Sequence, residues 1–378
     1  MTQGLILDYL HFHPDVGAGA HIAERGAVIG RSRVGAHPSF GDYATVRADG
    51  ENIGIGANAW FGEHATVHIA DRVLGTVVGD DVTVGRYAVV HACTLGDGVV
   101  VGESSVVMDG ASVGAHALIA ADSVVPPRKN LAGGCVYAGH PAKAVREIGR
   151  EELTRLARSL RAGDAPPELR SARLPAWADV VQALPPPSGG PLHTLHGRAP
   201  KVGRAYVAPT AIVAGDVVIA DEASVFFGCA VSAGDGRIVI GERTNVQDNS
   251  ILATDRARGD LVLGVGVTIG HNVQLGSGTI GDDALIGMGS RVGDRVVVER
   301  GACIGAGAWV EPGTVVPAGW IWAGRPARAF RELKAAERDE FARARDIYVE
   351  YSSDYRKRQD AAAATASPRR SSAARPAR

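Results

Sequence analysis

Residues 261–293 read LVLGVGVTIGHNVQLGSGTIGDDALIGMGSRVG, and an aliphatic residue followed by glycine returns in them about every six positions. The pairs are Leu263-Gly264, Ile269-Gly270, Ile280-Gly281, Ile286-Gly287 and Val292-Gly293. A period of six fits neither an amphipathic helix nor a simple hairpin meander, and it is typical of a hexapeptide parallel β-helix. Three hexapeptides, about 18 residues, form one triangular coil, with the aliphatic side chain inside and glycine at the tight corner. Successive coils stack at about 4.8 Å.

The same design occurs earlier in the chain at a constant offset. Val84-Gly85 corresponds to Ile269-Gly270, which sets the offset at 270 − 85 = 185. Each copy ends in a Gly-x-Pro-Ala turn, at 139–142 and 324–327, followed by a stretch with helical periodicity. The sequence therefore predicts a mainly β protein with two parallel β-helix domains, each followed by a C-terminal α-helix.

We predict four segments along the chain. The first β-helix domain with its short helix covers 1–163, and the second with its longer helix covers 192–360. A Pro-rich linker at 164–191 separates them, and the tail at 361–378, with four arginines and no acidic residue, is expected to be disordered. The apolar positions of the two helices are Leu153, Leu156 and Leu160, and Phe341, Ala344, Tyr348, Tyr351 and Tyr355.

Composition argues against several classes of partner. The 378 residues carry a formal net charge of −1, so no basic field calls for nucleic acid or an anionic membrane. Charges and glycines interrupt every apolar stretch, and the first residues lack a basic region with a long apolar run, so we expect a cytoplasmic protein without membrane spans. The four cysteines form no CxxC pair, which favours a packing role.

Two histidines of the first copy are spaced for stacking on adjacent coils. The positions of His68 and His91 differ by 91 − 68 = 23, and the two histidines follow Val67 and Val90, the expected inward positions. Subtracting a coil of about 18 leaves about five residues, which a looped-out segment at 71–75 could absorb. Position 86 belongs to another corner of the triangle, so a side chain there reaches this pair only from a second β-helix.

The motifs Thr83-Val84-Gly85-Arg86, 90–96 (VHACTLG), 245–250 (NVQDNS) and 268–272 (TIGHN) resemble the γ-class carbonic anhydrases over nearly all of both halves. The resemblance implies left-handed β-helices assembled in trimeric units of a homo-oligomer. It also implies three zinc-binding histidines between neighbouring β-helices, two from one and the third, in a Gly-His step, from the next. By that match His68 and His91 are the pair and His271 is the neighbour's ligand.

The two copies hold complementary parts of this implied site. The first has Arg86 where the second has His271, and the second has Ala253 and Gly276 where the first has the histidine pair. Only a first copy beside a second could assemble all three ligands. Three neutral imidazoles plus water would be a catalytic zinc geometry, in which the water has a pKa of about 7. Zinc is the expected metal, with iron or cobalt as alternatives, and CO2 and bicarbonate are the expected substrates of a lyase.

Further positions divide between the copies in the same way. Arg47 and Asp49 match the family's Arg-x-Asp step, and Gln247 matches a family active-site glutamine. The resemblance implies that Arg47 orients bicarbonate and that Gln247 positions the zinc-bound hydroxide. The alternative for Arg47 and Asp49 is an ordinary interface ion pair. His64 lies on an outward repeat position and is expected to be exposed.

Two other functions remain open from the sequence. Loss of ligands in both copies could leave a non-catalytic, metal-free structural or assembly subunit. Hexapeptide acyltransferases share the β-helix and the Gly-x-Pro-Ala ending, but the chain has no acyltransferase-specific motif. Zinc content distinguishes the first two hypotheses, and acyl-CoA binding tests the third.

Overall fold

The computed structural model describes residues 4–172, 174 and 190–366. In the first half, strands β1 to β20 are, in chain order, Leu5–Leu7, Asp15–Val16, His21–Ile22, Ala27–Val34, Ser39–Phe40, Thr45–Ile55, Trp60–Phe61, Thr66–His68, Thr76–Val78, Thr83–Val84, Val89–His91, Thr94–Leu95, Val100–Val101, Val106–Val107, Ser112–Val113, Leu118–Ile119, Val124–Val125, Asn130–Leu131, Cys135–Gly139 and Ala142–Glu147. Helix α1, Arg150–Ala162, follows them.

In the second half, strands β21 to β42 are, in chain order, Leu192–His193, Lys201–Val202, Tyr206–Val207, Ile212–Ala214, Val217–Ile219, Ser224–Val225, Ala230–Ser232, Ile238–Ile240, Asn245–Val246, Ile251–Ala253, Leu261–Leu263, Thr268–Ile269, Gln274–Leu275, Gly278–Ile280, Leu285–Ile286, Arg291–Val292, Val296–Val298, Cys303–Ile304, Trp309–Val310, Val315–Val316, Trp320–Gly324 and Ala327–Glu332. Helix α2, Ala335–Ala366, ends the described chain.

Both halves are parallel β-helices, as the six-residue period predicts. Every third strand pairs with the one a full coil later, so that β26, β29, β32, β35 and β38 form one face. Val84 lies opposite Val101, and Val101 lies opposite Ile119, so the coil lengths are 101 − 84 = 17 and 119 − 101 = 18. The inward aliphatic side chains form two buried clusters, one in each β-helix, and the cluster of the second also includes Tyr9, Ala27 and Ile29 of the first half.

Glycine at the corner is required by the close approach of the next coil. A Cβ on Gly85 would lie 2.8 Å from the backbone nitrogen of Glu103, and one on Gly270 would lie 2.8 Å from that of Met288. Neither approach leaves room for a side chain. The glycine step therefore presents the residue that follows it, Arg86 or His271, at the corner.

The two β-helices of one chain lie side by side. Val89, Val106 and Val124 of the first form a buried cluster against which Met288 of the second packs. Residues at equivalent positions of the two copies also contact each other. His64 and Asn249 differ by the repeat offset, 249 − 64 = 185, and His64 Nδ1 lies 3.1 Å from Asn249 Oδ1. The first copy thus contacts the second directly.

Most of the predicted apolar positions of the helices are buried, whereas Phe341 and Ala344 are partly exposed. Leu153, Leu156 and Leu160 of α1 are buried, as are Tyr348 and Tyr351 of α2. α2 continues to Ala366, so the predicted domain end at 360 falls inside the helix, where a run of alanines favours helix formation. The rest of the predicted disordered tail, 367–378, lies outside the described residues.

The predicted linker at 164–191 is described only at 164–172, 174, 190 and 191. Its first part packs on the first β-helix, where the Leu169 carbonyl accepts a hydrogen bond from the Glu103 backbone and the Ser171 N–H donates to the Glu103 carboxylate. Leu174 joins a buried cluster with residues of both halves, including Tyr87 and Ile251. The remainder of the linker lies outside the described residues. No helix in the described part of the chain is both long and apolar enough to cross a membrane.

Candidate metal centre

His68 and His91 lie opposite each other on adjacent coils. They end β8 and β11, which pair in parallel with His68 aligned to His91. The extra residues of this coil form a turn closed by a bridge between Ala70 and Leu74, where the sequence predicts a looped-out segment. As a result, Nδ1 of His68 lies 3.3 Å from Nε2 of His91.

His271 reaches this pair from the second β-helix, at the corner after β32. Its ring centroid lies 4.7 Å from that of His68 and 5.4 Å from that of His91. One ring nitrogen from each of the three histidines lies within 4.8 Å of the others. The structure therefore brings together the three predicted ligands, and both β-helices contribute to the cluster.

Three of the six ring nitrogens of this cluster have no hydrogen-bond partner among the described residues. Within the described residues, His68 Nε2 and both ring nitrogens of His271 are buried without a hydrogen bond. Burial lowers the pKa of His271 to about 4, and it lowers the pKa of His68 well below its ordinary value, with Arg47 acting in the same direction. Both rings are therefore neutral at pH 7 and present lone pairs, as metal ligands must.

The donor set fits a tetrahedral metal ion. Bonds of about 2.0–2.1 Å from zinc to imidazole place the ligand nitrogens roughly 3.4 Å apart. Nδ1 of His68 and Nε2 of His91 are 3.3 Å apart, close to this value. Buried polar atoms without partners are costly, and a cation shared with His68 Nδ1 and His91 Nε2 would give an unpaired ring nitrogen of His271 a partner.

Two carboxylates that the sequence analysis did not assign lie behind the histidines. Asp109 Oδ1 is 2.6 Å from His91 Nδ1, and Asp248 Oδ2 is 3.1 Å from His271 Nδ1, although without the alignment of a full hydrogen bond. Such carboxylates fix the ring orientation of ligand histidines. The coil length could have indicated both carboxylates, because each aspartate is one coil away from its histidine in the sequence, with 109 − 91 = 18 and 271 − 248 = 23.

Both aspartates are ionised at neutral pH. Burial would raise the pKa of Asp248, but the Arg47 guanidinium and His271 outweigh burial and hold that pKa below its ordinary value. For Asp109 burial likewise acts upward, and His91 holds the pKa below its ordinary value.

Arg47 is completely buried at the boundary between the two β-helices. Its Nε donates to Asp248 across the interface at 2.8 Å, and its other nitrogens donate to Asp49 and to the Tyr348 hydroxyl at 3.1 Å. The guanidinium also lies over the Phe226 ring, 4.5 Å from its centroid. These contacts match the interface ion pair of Arg47 with Asp49, and they link that pair through Asp248 to His271.

Gln247 lies next to Asp248 on the second β-helix and is also buried. Its side-chain amide donates to Asn245 Oδ1 at 3.1 Å. Among the described residues no hydrogen bond joins it to the three histidines. Its predicted role in positioning hydroxide stays a prediction.

The first copy's equivalent of His271 makes a different contact. Arg86 donates to Glu103 at 2.7 Å and is partly exposed. The prediction that His64 is exposed was wrong, because this ring is stacked between Tyr43 and Tyr87 at the interface. An outward repeat position becomes buried when a second β-helix packs on it.

The cluster is open on one side. The side chains of His68 and His271 are 2% and 0% exposed, whereas those of His91 and Asp109 are 12% and 44% exposed. Solvent or a small molecule therefore approaches past His91.

Comparison with known proteins gives the relatives of this chain. A family model described as bacterial transferase hexapeptide (six repeats) matches residues 277–312. A carbonic anhydrase from Geobacillus kaustophilus is 37% identical over 166 residues, which cover 44% of this chain and 91% of that protein. The chain belongs to the γ-carbonic anhydrase family of hexapeptide-repeat proteins.

Other γ-carbonic anhydrases match over a smaller share of their own length. Gamma carbonic anhydrase 1, mitochondrial, of Arabidopsis thaliana is 39% identical over 152 residues, 39% of this chain and 55% of that protein. The chain thus spans about half the length of these plant relatives. A solved structure from Desulfovibrio desulfuricans G20, described as that of an acetyltransferase candidate, covers 91% of this chain with a TM-score of 0.59 and 14% identity. This likeness shows the fold alone.

Proposed function

We propose that this γ-carbonic anhydrase homologue catalyses metal-dependent, reversible hydration of CO2 at one composite site per chain. The observation that carries the proposal is the convergence of His68, His91 and His271 from two β-helices, where ring nitrogens of His68 and His271 are buried without a hydrogen bond from the described residues. Zinc is the proposed metal, with iron and cobalt as alternatives that also accept imidazole. CO2 and bicarbonate are the proposed substrates.

The residues of the chain have separate tasks in this proposal. The three histidines hold the ion, and Asp109 and Asp248 orient two of their rings through Nδ1. The ion would supply the Lewis acidity that makes water nucleophilic at neutral pH. Water and CO2 give bicarbonate and one proton, which leaves by the open side at His91.

Arg47 is proposed as a positioning residue rather than a contact to bicarbonate. It is fully buried and holds both Asp49 and Asp248, so it fixes the carboxylate behind His271. Gln247 is proposed to position the attacking oxygen. Unchanged turnover in Gln247→Ala would count against that role.

Zinc per chain in anaerobically purified protein is the direct test. We expect one equivalent in the parent protein and loss in His68→Ala and His271→Ala. His37→Ala, which changes an exposed histidine of the first β-helix, is the matched control and should keep the metal. Stopped-flow CO2 hydration should follow metal content in all four proteins.

A metal-free structural or assembly subunit is the second candidate. The observation that favours it is the near-complete burial of His68 and His271, together with the buried ion pairs that Arg47 forms at the interface. Absence of zinc after reconstitution, with an intact fold, would support this candidate and overturn the first. The acyltransferase hypothesis has only fold-level similarity behind it.

Trimeric β-helix units in a homo-oligomer are also proposed from the family. One chain supplies two adjacent β-helices, so a third would have to come from another chain. The mass of the protein in solution by light scattering, compared with 39.2 kDa for one chain, tests this assembly.

A further inference from the structure

The two C-terminal helices begin at equivalent positions but present different side chains to their β-helices. α1 starts at residue 150 and α2 at residue 335, and 335 − 150 = 185. In α1, Leu153, Leu156 and Leu160 are buried in a cluster on the β-helix face. With the same offset, the residues of α2 at these places are Arg338, Phe341 and Arg345.

This difference leaves a groove under α2. A space of about 510 Å³ lies between α2 and the second β-helix, and it is lined by Arg338, Phe341, Arg345, Leu285 and Arg300, among others. The volume falls in the range of about 300–1,000 Å³ that is usual for small-molecule sites. In the first copy, three leucines are packed where α2 carries these arginines and phenylalanine.

The groove carries a net positive charge. Three arginines face one carboxylate, Asp283, which lies 2.7 Å from Arg345 Nη1 and 3.4 Å from Arg300 Nη2. Beside the groove, Asp346 Oδ1 is shared by Arg345 Nε at 3.0 Å and Arg243 Nη2 at 2.9 Å, and the charges of Asp346 and Arg243 cancel. The Arg338 guanidinium donates to a backbone carbonyl at 3.4 Å, which leaves its charge without a carboxylate among the described residues.

The wall of the groove is amphipathic. Leu285 and Phe341 provide apolar surface beside the guanidinium groups of Arg300 and Arg338. Guanidinium groups bind carboxylates and phosphates through paired hydrogen bonds. A ligand that satisfies both features has one anionic group and an apolar body.

We propose that this groove is a binding site for a small amphipathic organic anion, such as a medium-chain carboxylate. Its anionic group pairs with Arg338 and Arg300, and its apolar part lies on Phe341 and Leu285. The site belongs to the second copy, and its residues are separate from the three histidines. The proposal therefore stands whether or not the histidine cluster binds a metal.

Fluorescence titration with anilinonaphthalene sulfonate, an aromatic anion, tests the site. We expect one saturable site from which octanoate displaces the dye, whereas octanol does not. Arg338→Leu combined with Arg345→Leu copies the first half and should weaken dye affinity by about tenfold or more. Arg343→Leu, an exposed arginine of the same helix that does not line the groove, is the matched control and should bind like the parent.

A second variant protects the test against misfolding. Arg300→Gln changes a β-helix side chain that is 75% exposed, and it should also weaken binding. Thermal unfolding of each variant reports whether the fold is kept. Parent-like affinity in a folded double variant, or displacement by octanol as effective as by octanoate, would overturn the proposal.

Discussion

Replacing Asp248 with asparagine perturbs the interface and the histidine cluster at once. Asp248 Oδ2 lies 2.8 Å from Arg47 Nε and 3.1 Å from His271 Nδ1, and all three side chains are completely buried. Loss of one partner from a buried ion pair costs about 3–5 kcal/mol, since the other charge is left uncompensated. Asp49 still neutralises Arg47, so we expect the lower end, about 3 kcal/mol.

The same substitution should weaken metal binding, because carboxylates that orient ligand histidines typically contribute about 10–100-fold in affinity. Asp109→Asn is the matched comparison. Asp109 contacts His91 Nδ1 at 2.6 Å, but its side chain is 44% exposed, and polar contacts open to solvent contribute only about 0–1 kcal/mol. This variant should lose metal affinity to a similar extent with a change in unfolding free energy below about 1 kcal/mol.

Two assays separate these effects. Chemical denaturation of the metal-free proteins, followed by circular dichroism, gives the loss of stability. Competition with a chromophoric zinc chelator gives the metal affinity. The reasoning is refuted if Asp248→Asn is as stable as Asp109→Asn, because Arg47 would then not depend on Asp248. Parent-like zinc affinity in both variants would remove the orienting role of the two carboxylates.

Three further substitutions probe the interface. Burial lowers the pKa of His64 to about 4, so below about pH 6.5 the unfolded chain takes up a proton that the folded protein does not. The melting temperature should therefore fall as the pH is lowered from about 6.5 to about 4. The fall should be less steep in His64→Gln. Tyr355→Phe removes the hydroxyl that donates to Asp49 and should cost about 1–3 kcal/mol in chemical denaturation. Gly289→Val should lower the unfolding free energy by at least about 1–3 kcal/mol, since a Cβ there would lie 2.6 Å from a valine methyl of the first β-helix. Gly313 has a similar positive φ and no neighbour within 4 Å of its Cβ position, so Gly313→Val measures the backbone strain alone.

The sequence predicted what repeats along the chain. Inward aliphatic residues and corner glycines recur locally, so the two β-helices and their terminal helices follow from the period. The spacing of His68 and His91, longer than one regular coil, predicted a looped-out segment at 71–75, and the structure has a turn there, closed by a bridge between Ala70 and Leu74. Each of these features depends on residues within one or two coils of each other.

What the period could not predict is how the two β-helices face each other. His64 lies on an outward position, and only contact with the second copy buries it between Tyr43 and Tyr87. Coil length could indicate that Asp248 lies behind His271, but its contact with Arg47 of the other half could not be predicted in this way. Side-by-side packing joins residues that are far apart in the chain, and no local pattern records such a pairing.

The complementary losses in the two copies have a common physical reason if the site is composite. Since the histidine pair of the first β-helix meets the Gly-His corner of the second, each copy needs only the edge that faces the other. Arg86 follows β10, which belongs to a different face of the first β-helix from β8 and β11, and it pairs there with Glu103. Ala253 of the second copy packs in a different buried cluster, with Ile251. Random loss of residues without selection would have had to leave His68, His91 and His271 unchanged together with Asp109 and Asp248. Selection for one site per chain would maintain these five side chains and allow substitution at the equivalent positions of the other copy.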